Sequence, residues 1–180
     1  MLPKQCIILN SKFYLKNYRK NDIQLLLQKK HIKVPRILQY SELSKDNFPV
    51  FCKEKTHTGI VFQAYNIFTI DRFFENFNQS DFYIEKSILG KDIPLQEFKI
   101  YFIKDKVFGK DNGLPINDRI KRITSKINTT IPELDIFSAD IIRTSHYDYV
   151  IDINPASGLF LSSKARQYFA HSLRQISCKK

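Results

Sequence analysis

Along the first third of this chain, the pattern of apolar and polar residues is helical in one segment and extended in others. In residues 17–31, NYRKNDIQLLLQKKH, a block of isoleucine and leucine lies between polar flanks, which predicts a short helix started by Asn21 or Asp22. The following IKVPRIL predicts an extended segment, because Pro35 cannot continue a helix. Two β-rich runs within residues 49–65, FPVFCKEK and IVFQAY, predict the strands of a hairpin.

The rest of the chain continues with short strands and amphipathic helices. TIDRFFENF predicts a helix that begins at Thr69 or Asp71, and residues 117–127 predict a basic helix. Strands are predicted for SDFYIEKSI, for EFKIYFIKDKVFG with a turn at KDK, and for the hairpin FSADIIRT–YVIDIN. SSKARQYFAHSLRQI predicts a last helix with one apolar stripe. This order of elements predicts an α+β protein whose antiparallel sheets carry helices.

Composition narrows the class of protein. The 180 residues are 43% hydrophobic and 26% charged, which is typical of a globular chain. The longest apolar runs are far shorter than a bilayer requires, so we expect no transmembrane segment, and no signal peptide is expected either. Three cysteines, Cys6, Cys52 and Cys178, show no paired or metal-ligand spacing and favour a reduced, cytoplasmic location. Taken alone, the net charge of +11 suggests a polyanion, whether nucleic acid, anionic membrane or phosphorylated small molecule, and of these a membrane is not expected as a partner.

Polar oxygens interrupt the two apolar strands of the last hairpin. Asp152 and Asn154 are two residues apart and therefore leave the same face of their strand, and Asp140 can reach that face from the neighbouring strand. Two carboxylates and an amide oxygen form a hard-oxygen site suited to Mg²⁺ and its bound phosphates. Alternatively, they are outward-facing residues of an amphipathic hairpin.

FSADIIRT…YVIDINPASG resembles the metal-binding hairpin of the ATP-grasp superfamily. The twelve-residue spacing of Asp140 and Asp152 is similar to that of its ribosomal-protein glutamate ligases. The resemblance covers roughly residues 20–160, and it implies ATP and Mg²⁺ as cofactors. It also implies an ATP-grasp fold with two small lobes, each an antiparallel sheet with helices, and the nucleotide between them. Residues 1–180 are expected to form one minimal domain, with a small lid lobe at about 36–88 and a larger lobe, which carries the metal site, from 1–35 and 89–180.

Further motifs imply the residues that contact ATP. Lys20 opens a helix that leads to Pro35, with His31 where the superfamily has glycine, and Lys53 ends a strand. Both lysines are implied to approach the phosphates, below a short flap that contains Gly59. FYIEKSI resembles the hinge strand that holds adenine, and LQEFKIYFIKDKVFG resembles the pair of strands that faces ribose and phosphate. The further residues implied by these two segments are Glu85, Lys86, Ser87, Ile88, Glu97 and Lys99.

The resemblance implies transfer of the γ-phosphoryl of ATP to an acceptor. A ligase that activates a carboxylate as acyl-phosphate and joins it to an amine is preferred, with Lys53 and Arg143 as catalytic residues. A kinase similar to the inositol phosphate kinases is the alternative. Arg119, Lys121 and Arg122 either hold an anionic substrate or form a solvated basic face, and Ser157 and Gly158 are expected to shape the acceptor pocket.

The acceptor itself is expected to be an anionic small molecule, a peptide or a carrier protein. Only nineteen residues precede Lys20, whereas full-length members of the superfamily carry an N-terminal domain there. Either a partner chain or a homodimer completes the site, or the substrate, such as a peptide or a carrier protein, binds on its own; a nucleotide binder without catalytic activity is a further alternative. A basic nucleic-acid-binding module ranks third, because it leaves Asp140, Asp152 and Asn154 unexplained.

Overall fold

The computed structural model describes residues 10–56, 59–88, 94–111, 116–155 and 162–177. Within these ranges the α-helices are α1 (Ser11–Leu15), α2 (Lys20–Lys29), α3 (Ile67–Asn76), α4 (Asp118–Thr130) and α5 (Ser163–Ser177). The strands are β1 (Ile37–Leu38), β2 (Val50–Glu54), β3 (Val61–Ala64), β4 (Phe82–Lys86), β5 (Pro94–Ile103), β6 (Lys106–Gly109), β7 (Ile136–Thr144) and β8 (Asp148–Asn154). They form two four-stranded sheets, in the orders β1-β4-β2-β3 and β6-β5-β7-β8. The predicted α+β class is confirmed.

One compact unit comprises Arg19–Glu97 and Ile142–Asp152. It contains the first sheet, in which β4 pairs antiparallel with β1 and β2, and β2 pairs antiparallel with β3 as the predicted hairpin. Helix α3 packs on this sheet, because the rings of Phe62 and Phe73 stack at 4.5 Å and Phe82 meets Phe73 edge to face at 5.0 Å. Buried aliphatic residues and Cys52 complete this core.

The other compact unit comprises Met1–Tyr18, Phe98–Ile141 and Ile153–Lys180. Strands β5 and β6 pair antiparallel around the predicted KDK turn, with Ile103 opposite Lys106. Tyr101, Ile103 and Ile136 pack with Ala165 of α5, so the apolar stripe of that helix faces the core at this residue. The lobe boundaries expected from the sequence stay a prediction.

Asparagine residues determine where two helices begin. The side chain of Asn66 accepts a hydrogen bond from the backbone N–H of Thr69 at 3.0 Å, so α3 starts at Ile67 and the predicted start at Thr69 or Asp71 is wrong. Asn117 likewise accepts from the N–H of Ile120 at 3.0 Å and begins α4 one residue later than predicted. A short side-chain acceptor satisfies a backbone donor that has no partner within the first turn.

Helix α2 ends in a left-handed turn at His31, whose φ is +57°. The N–H of Ile32 bonds to the carbonyl of Leu27 and the N–H of His31 to that of Gln28, both at 3.0 Å. These two bonds define a Schellman motif, in which glycine is the favoured left-handed residue. The position where the resemblance expects glycine therefore has the backbone conformation that glycine adopts most easily.

No helix in the described part of the chain is long and apolar enough to cross a membrane.

Candidate nucleotide site

A cavity of about 270 Å³ lies in the unit that contains α2 and the first sheet. Its walls are largely apolar and include Phe51, Val61, Ile142 and Ile151. Seven residues predicted from the sequence also line it: Lys20, Lys53, Glu85, Lys86, Ser87, Ile88 and Asp152. The fold thus brings together residues that are up to 132 positions apart in the chain.

Lys20 enters this cavity from the first turn of α2. Its backbone N–H bonds to the carbonyl of Lys55 at 2.9 Å, which holds the start of the helix against the end of β2. The Lys20 ammonium lies 3.3 Å from the nearer carboxylate oxygen of Asp152. An amine predicted to contact phosphate therefore neutralises an acid predicted to bind metal.

Lys53 and Glu85 form a second, more deeply buried pair. The Lys53 Nζ lies 2.6 Å from the Glu85 carboxylate and also donates to the carbonyl of Ile151 at 2.9 Å. Their side chains are 13% and 2% exposed. Because β2 and β4 pair with Phe51 opposite Glu85, the lysine reaches the acid diagonally across the two strands.

Burial dominates the electrostatics of β4. It raises the pKa of Glu85 above its ordinary value, and the nearby Lys53 ammonium opposes that rise. The pKa of Tyr83 is raised in the same way, first by burial and then by the charges of Glu85 and Asp152. Tyr83 therefore stays a neutral phenol at physiological pH.

Two backbone N–H groups of the predicted hinge are already hydrogen-bonded to other parts of the fold. The N–H of Lys86 donates to the carbonyl of Arg36 at 2.8 Å, and the N–H of Ser87 donates to that of Pro49 at 3.2 Å. An adenine base at this hinge would use a carbonyl oxygen or the next amide, at Ile88, rather than these two donors.

Lys99 and Asp140 form an ion pair of 3.0 Å in the other unit, with side chains 31% and 26% exposed. Asn154 belongs to the same unit and is exposed at the end of β8. Asp152, the third predicted ligand, belongs to the unit that contains the cavity. Carboxylate and amide oxygens are ligands of the kind that Mg²⁺ accepts. No cluster of three or more histidine, cysteine, aspartate or glutamate side chains able to hold a metal occurs among the described residues. The predicted ligand set, with one asparagine, is not of that kind and stays a prediction.

Two further predicted site residues, Arg143 and Glu97, are not among the described residues that line the cavity. Arg143 forms two hydrogen bonds with Asp148, at 2.9 and 3.4 Å, and the Asp148 side chain is fully buried. This pairing closes the β7–β8 hairpin and favours a structural role for Arg143. Glu97 is exposed on β5 and is not among the described residues that line the cavity. Ser157 and Gly158 lie outside the described residues.

The sequence did not reveal the apolar walls. Ile151 and Ile142 were assigned only to apolar strands, whereas both line the cavity. In β8, Ile151 and Asp152 are both half-buried although neighbouring side chains leave opposite faces of a strand, and no pattern in the sequence shows this.

No protein-family profile matches the sequence, and no curated protein matches it. Solved structures do match. D-alanine–D-alanine ligase from Bacillus anthracis superposes with a TM-score of 0.66 and 18% identity over 83% of this chain and 62% of that protein. The ATP-grasp ligase PsnB superposes with a TM-score of 0.65 and 13% identity, over 89% of this chain and 60% of that protein. N5-carboxyaminoimidazole ribonucleotide synthetase from Thermotoga maritima superposes with a TM-score of 0.59 and 19% identity, over 82% of this chain and 44% of that protein.

This chain thus spans between 44% and 62% of the length of these three proteins. At such low identity the likeness concerns the fold rather than the activity. The resemblance noted in the sequence is confirmed at that level, because the matching structures include ATP-grasp ligases. The protein therefore has the ATP-grasp fold.

Proposed function

We propose that the protein binds Mg-ATP and transfers its γ-phosphoryl group to an acceptor carboxylate, with release of ADP. An amine then attacks the resulting acyl-phosphate and displaces inorganic phosphate, which forms the amide. The observation that carries this proposal is the cavity in which Lys20, Lys53 and Asp152 face the hinge residues Glu85 to Ile88. Apolar walls suit a purine, and two ammonium groups suit the phosphates.

The residues have separate roles in this proposal. Lys20 and Lys53 neutralise the phosphates as charge moves during transfer. Residues 85–88 hold the base. Asp140, Asp152 and Asn154 would hold Mg²⁺, which supplies charge neutralisation on the phosphate oxygens when it is bound.

The choice of a carboxylate acceptor rests on the matching structures. They include D-alanine–D-alanine ligase complexed with ATP, PsnB with a precursor peptide and AMPPNP, and the macrocyclase MdnC with its precursor peptide. A peptide is therefore the first acceptor to test. An acceptor hydroxyl, as in a kinase, is the other chemistry to distinguish.

The first experiment measures Mg-ATP binding by calorimetry for the wild type, Lys20→Gln and Asp152→Asn. Loss of a charge-assisted contact is worth about 1.5–3 kcal/mol, so each variant should bind at least about tenfold more weakly. Lys45→Gln is the control, because Lys45 is exposed and lies outside the cavity. Lys53 is left unchanged, because its loss would strand buried Glu85. Wild-type affinity in both variants, or no binding by the wild type, would contradict the proposal.

A second experiment distinguishes the acceptor chemistry. Peptides with free carboxylates are incubated with Mg-ATP and hydroxylamine, which traps an acyl-phosphate as a hydroxamate. Mass spectrometry should detect hydroxamate only in the complete reaction. A stable phosphorylated product without hydroxamate would indicate a kinase instead.

A further inference from the structure

The two edges of the first sheet differ in how well they are protected. Strand β1, at one edge, is two residues long and leaves little backbone for another strand to pair with. Strand β3, at the other edge, has four residues, VFQA, none of which is charged or a proline. Soluble proteins usually protect such an edge with charges, proline or a bulge. In the described part of the chain, β3 has β2 on one side and no strand on the other.

The pairing of β3 with β2 shows which of its backbone groups point outward. The N–H of Glu54 donates to the carbonyl of Ile60 at 3.1 Å, so these two residues form a hydrogen-bonded pair. Hydrogen-bonded and non-hydrogen-bonded pairs alternate along an antiparallel ladder. The backbone of Phe62 therefore also bonds to β2, whereas Val61 and Gln63 direct their N–H and C=O groups away from it.

Apolar side chains lie along this open edge. Val61 is 53% exposed, Ile60 before the strand is 41% exposed, and Tyr65 after the strand is 65% exposed. Water contact is unfavourable for these side chains, so a second surface that covers them would stabilise the edge. The chain carries a net charge of +11, yet β3 carries none, so two copies can meet here without placing like charges on the paired strands.

A second copy of β3 matches this edge in antiparallel orientation. With Phe62 on the two-fold axis, Val61 lies opposite the partner subunit's Gln63, and Gln63 lies opposite the partner subunit's Val61. Each of these two pairs can exchange two backbone hydrogen bonds, which uses every outward N–H and C=O group of β3. A charged peptide would find no ion pair on this strand. We propose that the protein forms a two-fold dimer in which β3 pairs with β3 and joins the two first sheets.

This pairing would reach the nucleotide cavity. Val61 lines that cavity. The side chains of a hydrogen-bonded pair leave the same face of a sheet, so the partner subunit's Gln63 would lie beside Val61 at the cavity wall. The role of this contact rests on the proposed function, whereas the dimer itself does not.

Sedimentation equilibrium of the full chain, with a reductant and without nucleotide, tests the dimer. The wild type should pass from the 21.3 kDa of one chain to twice that mass as its concentration rises. Gln63→Pro removes an outward N–H but none that bonds to β2, so it should dimerise at least about tenfold more weakly. Gln63→Ala retains the N–H and should dimerise within about threefold of the wild type.

A second pair of variants covers the case that Gln63→Pro does not fold. Ile60→Lys places a charge beside the paired strands and should also weaken the dimer at least about tenfold. Leu15→Lys makes the same kind of change at an apolar residue of α1 that is 85% exposed, and it should leave the dimer unchanged.

Four results would overturn the dimer. They are a wild type that stays monomeric at every concentration, a folded Gln63→Pro variant that dimerises as tightly as Gln63→Ala, equal weakening by both lysine variants, and wild-type species that grow beyond the dimer. The last would contradict a two-fold contact, which closes on itself. A wild type that dimerises but binds no Mg-ATP would support the dimer and contradict only the proposed function.

Discussion

Glu85 shows how one side chain can join fold and site. Its carboxylate is almost fully buried and is paired with Lys53, whose own ammonium is held by the carbonyl of Ile151. Removing either partner would leave the other charge buried and uncompensated. The pair therefore fixes the position of an amine that is proposed to contact phosphate, before any ligand arrives.

The pKa of Glu85 gives a prediction on stability. An acid whose pKa is raised by folding binds more protons in the folded than in the unfolded chain, so its contribution to stability falls as the pH rises above its unfolded pKa, about 4. The free energy of unfolding of Glu85→Gln, measured by urea unfolding, should therefore rise relative to that of the wild type as the pH increases above about 4.

Glu42→Gln provides a control of opposite sign. The backbone N–H of Gln39 donates to Glu42 at 2.6 Å and is the main reason that its pKa is lowered. A depressed acid stabilises the fold above its unfolded pKa and loses that contribution as the pH falls. The free energy of unfolding of Glu42→Gln should therefore fall relative to that of the wild type as the pH rises. Parallel pH trends for the two variants would contradict both assignments.

His31 gives a second prediction at this scale. A left-handed conformation costs a residue with a Cβ about 1 kcal/mol more than it costs glycine. His31→Gly should therefore raise the free energy of unfolding by about that amount in urea titrations. His31→Ala keeps the Cβ and should show no such gain, and equal gains in both variants would show that the imidazole, rather than the backbone, is the unfavourable part.

At the scale of elements, helix starts depend on single acceptors. Asn66 accepts from both the N–H and the hydroxyl of Thr69, at 3.0 and 2.8 Å. Asn66→Ala should lower the free energy of unfolding by about 1 kcal/mol, since it removes the cap of α3. Thermal or urea unfolding measures this loss. Asn66→Asp retains the acceptor and should stay within a few tenths of the wild type; a loss as large as that of alanine would argue against capping.

Local patterns predicted most elements correctly, and non-local pairs were not predictable. Alternation alone located the β2–β3 hairpin, and the polar oxygens of β8 are visible in VIDIN. The start of α3 was misplaced because Thr69 and Asp71 are also good caps. The Lys53–Glu85 pair depends on the register of β2 against β4, which no spacing along the chain reveals. The ion pair of Arg143 with Asp148 likewise follows from the burial of Asp148, which the sequence does not show.

At the scale of the whole molecule, net charge and local charge have different consequences. The chain carries a formal charge of +11, yet the acids that matter for the proposed function, Asp140 and Asp152, are each paired with a lysine. The excess positive charge is therefore carried by residues other than these two lysines. A measured affinity for anions must accordingly be assigned by paired variants, because the overall field attracts every polyanion.

The contact of Lys20 with Asp152 also means that the protein carries its own counter-ion at this acid. A free divalent cation that binds this carboxylate must therefore displace the Lys20 ammonium. A nucleotide phosphate would draw the same ammonium towards itself and release the acid. Under the proposed function, the arrival of Mg-ATP would thus exchange this ion pair for a contact between Lys20 and phosphate, and Asp152 would become free to hold Mg²⁺.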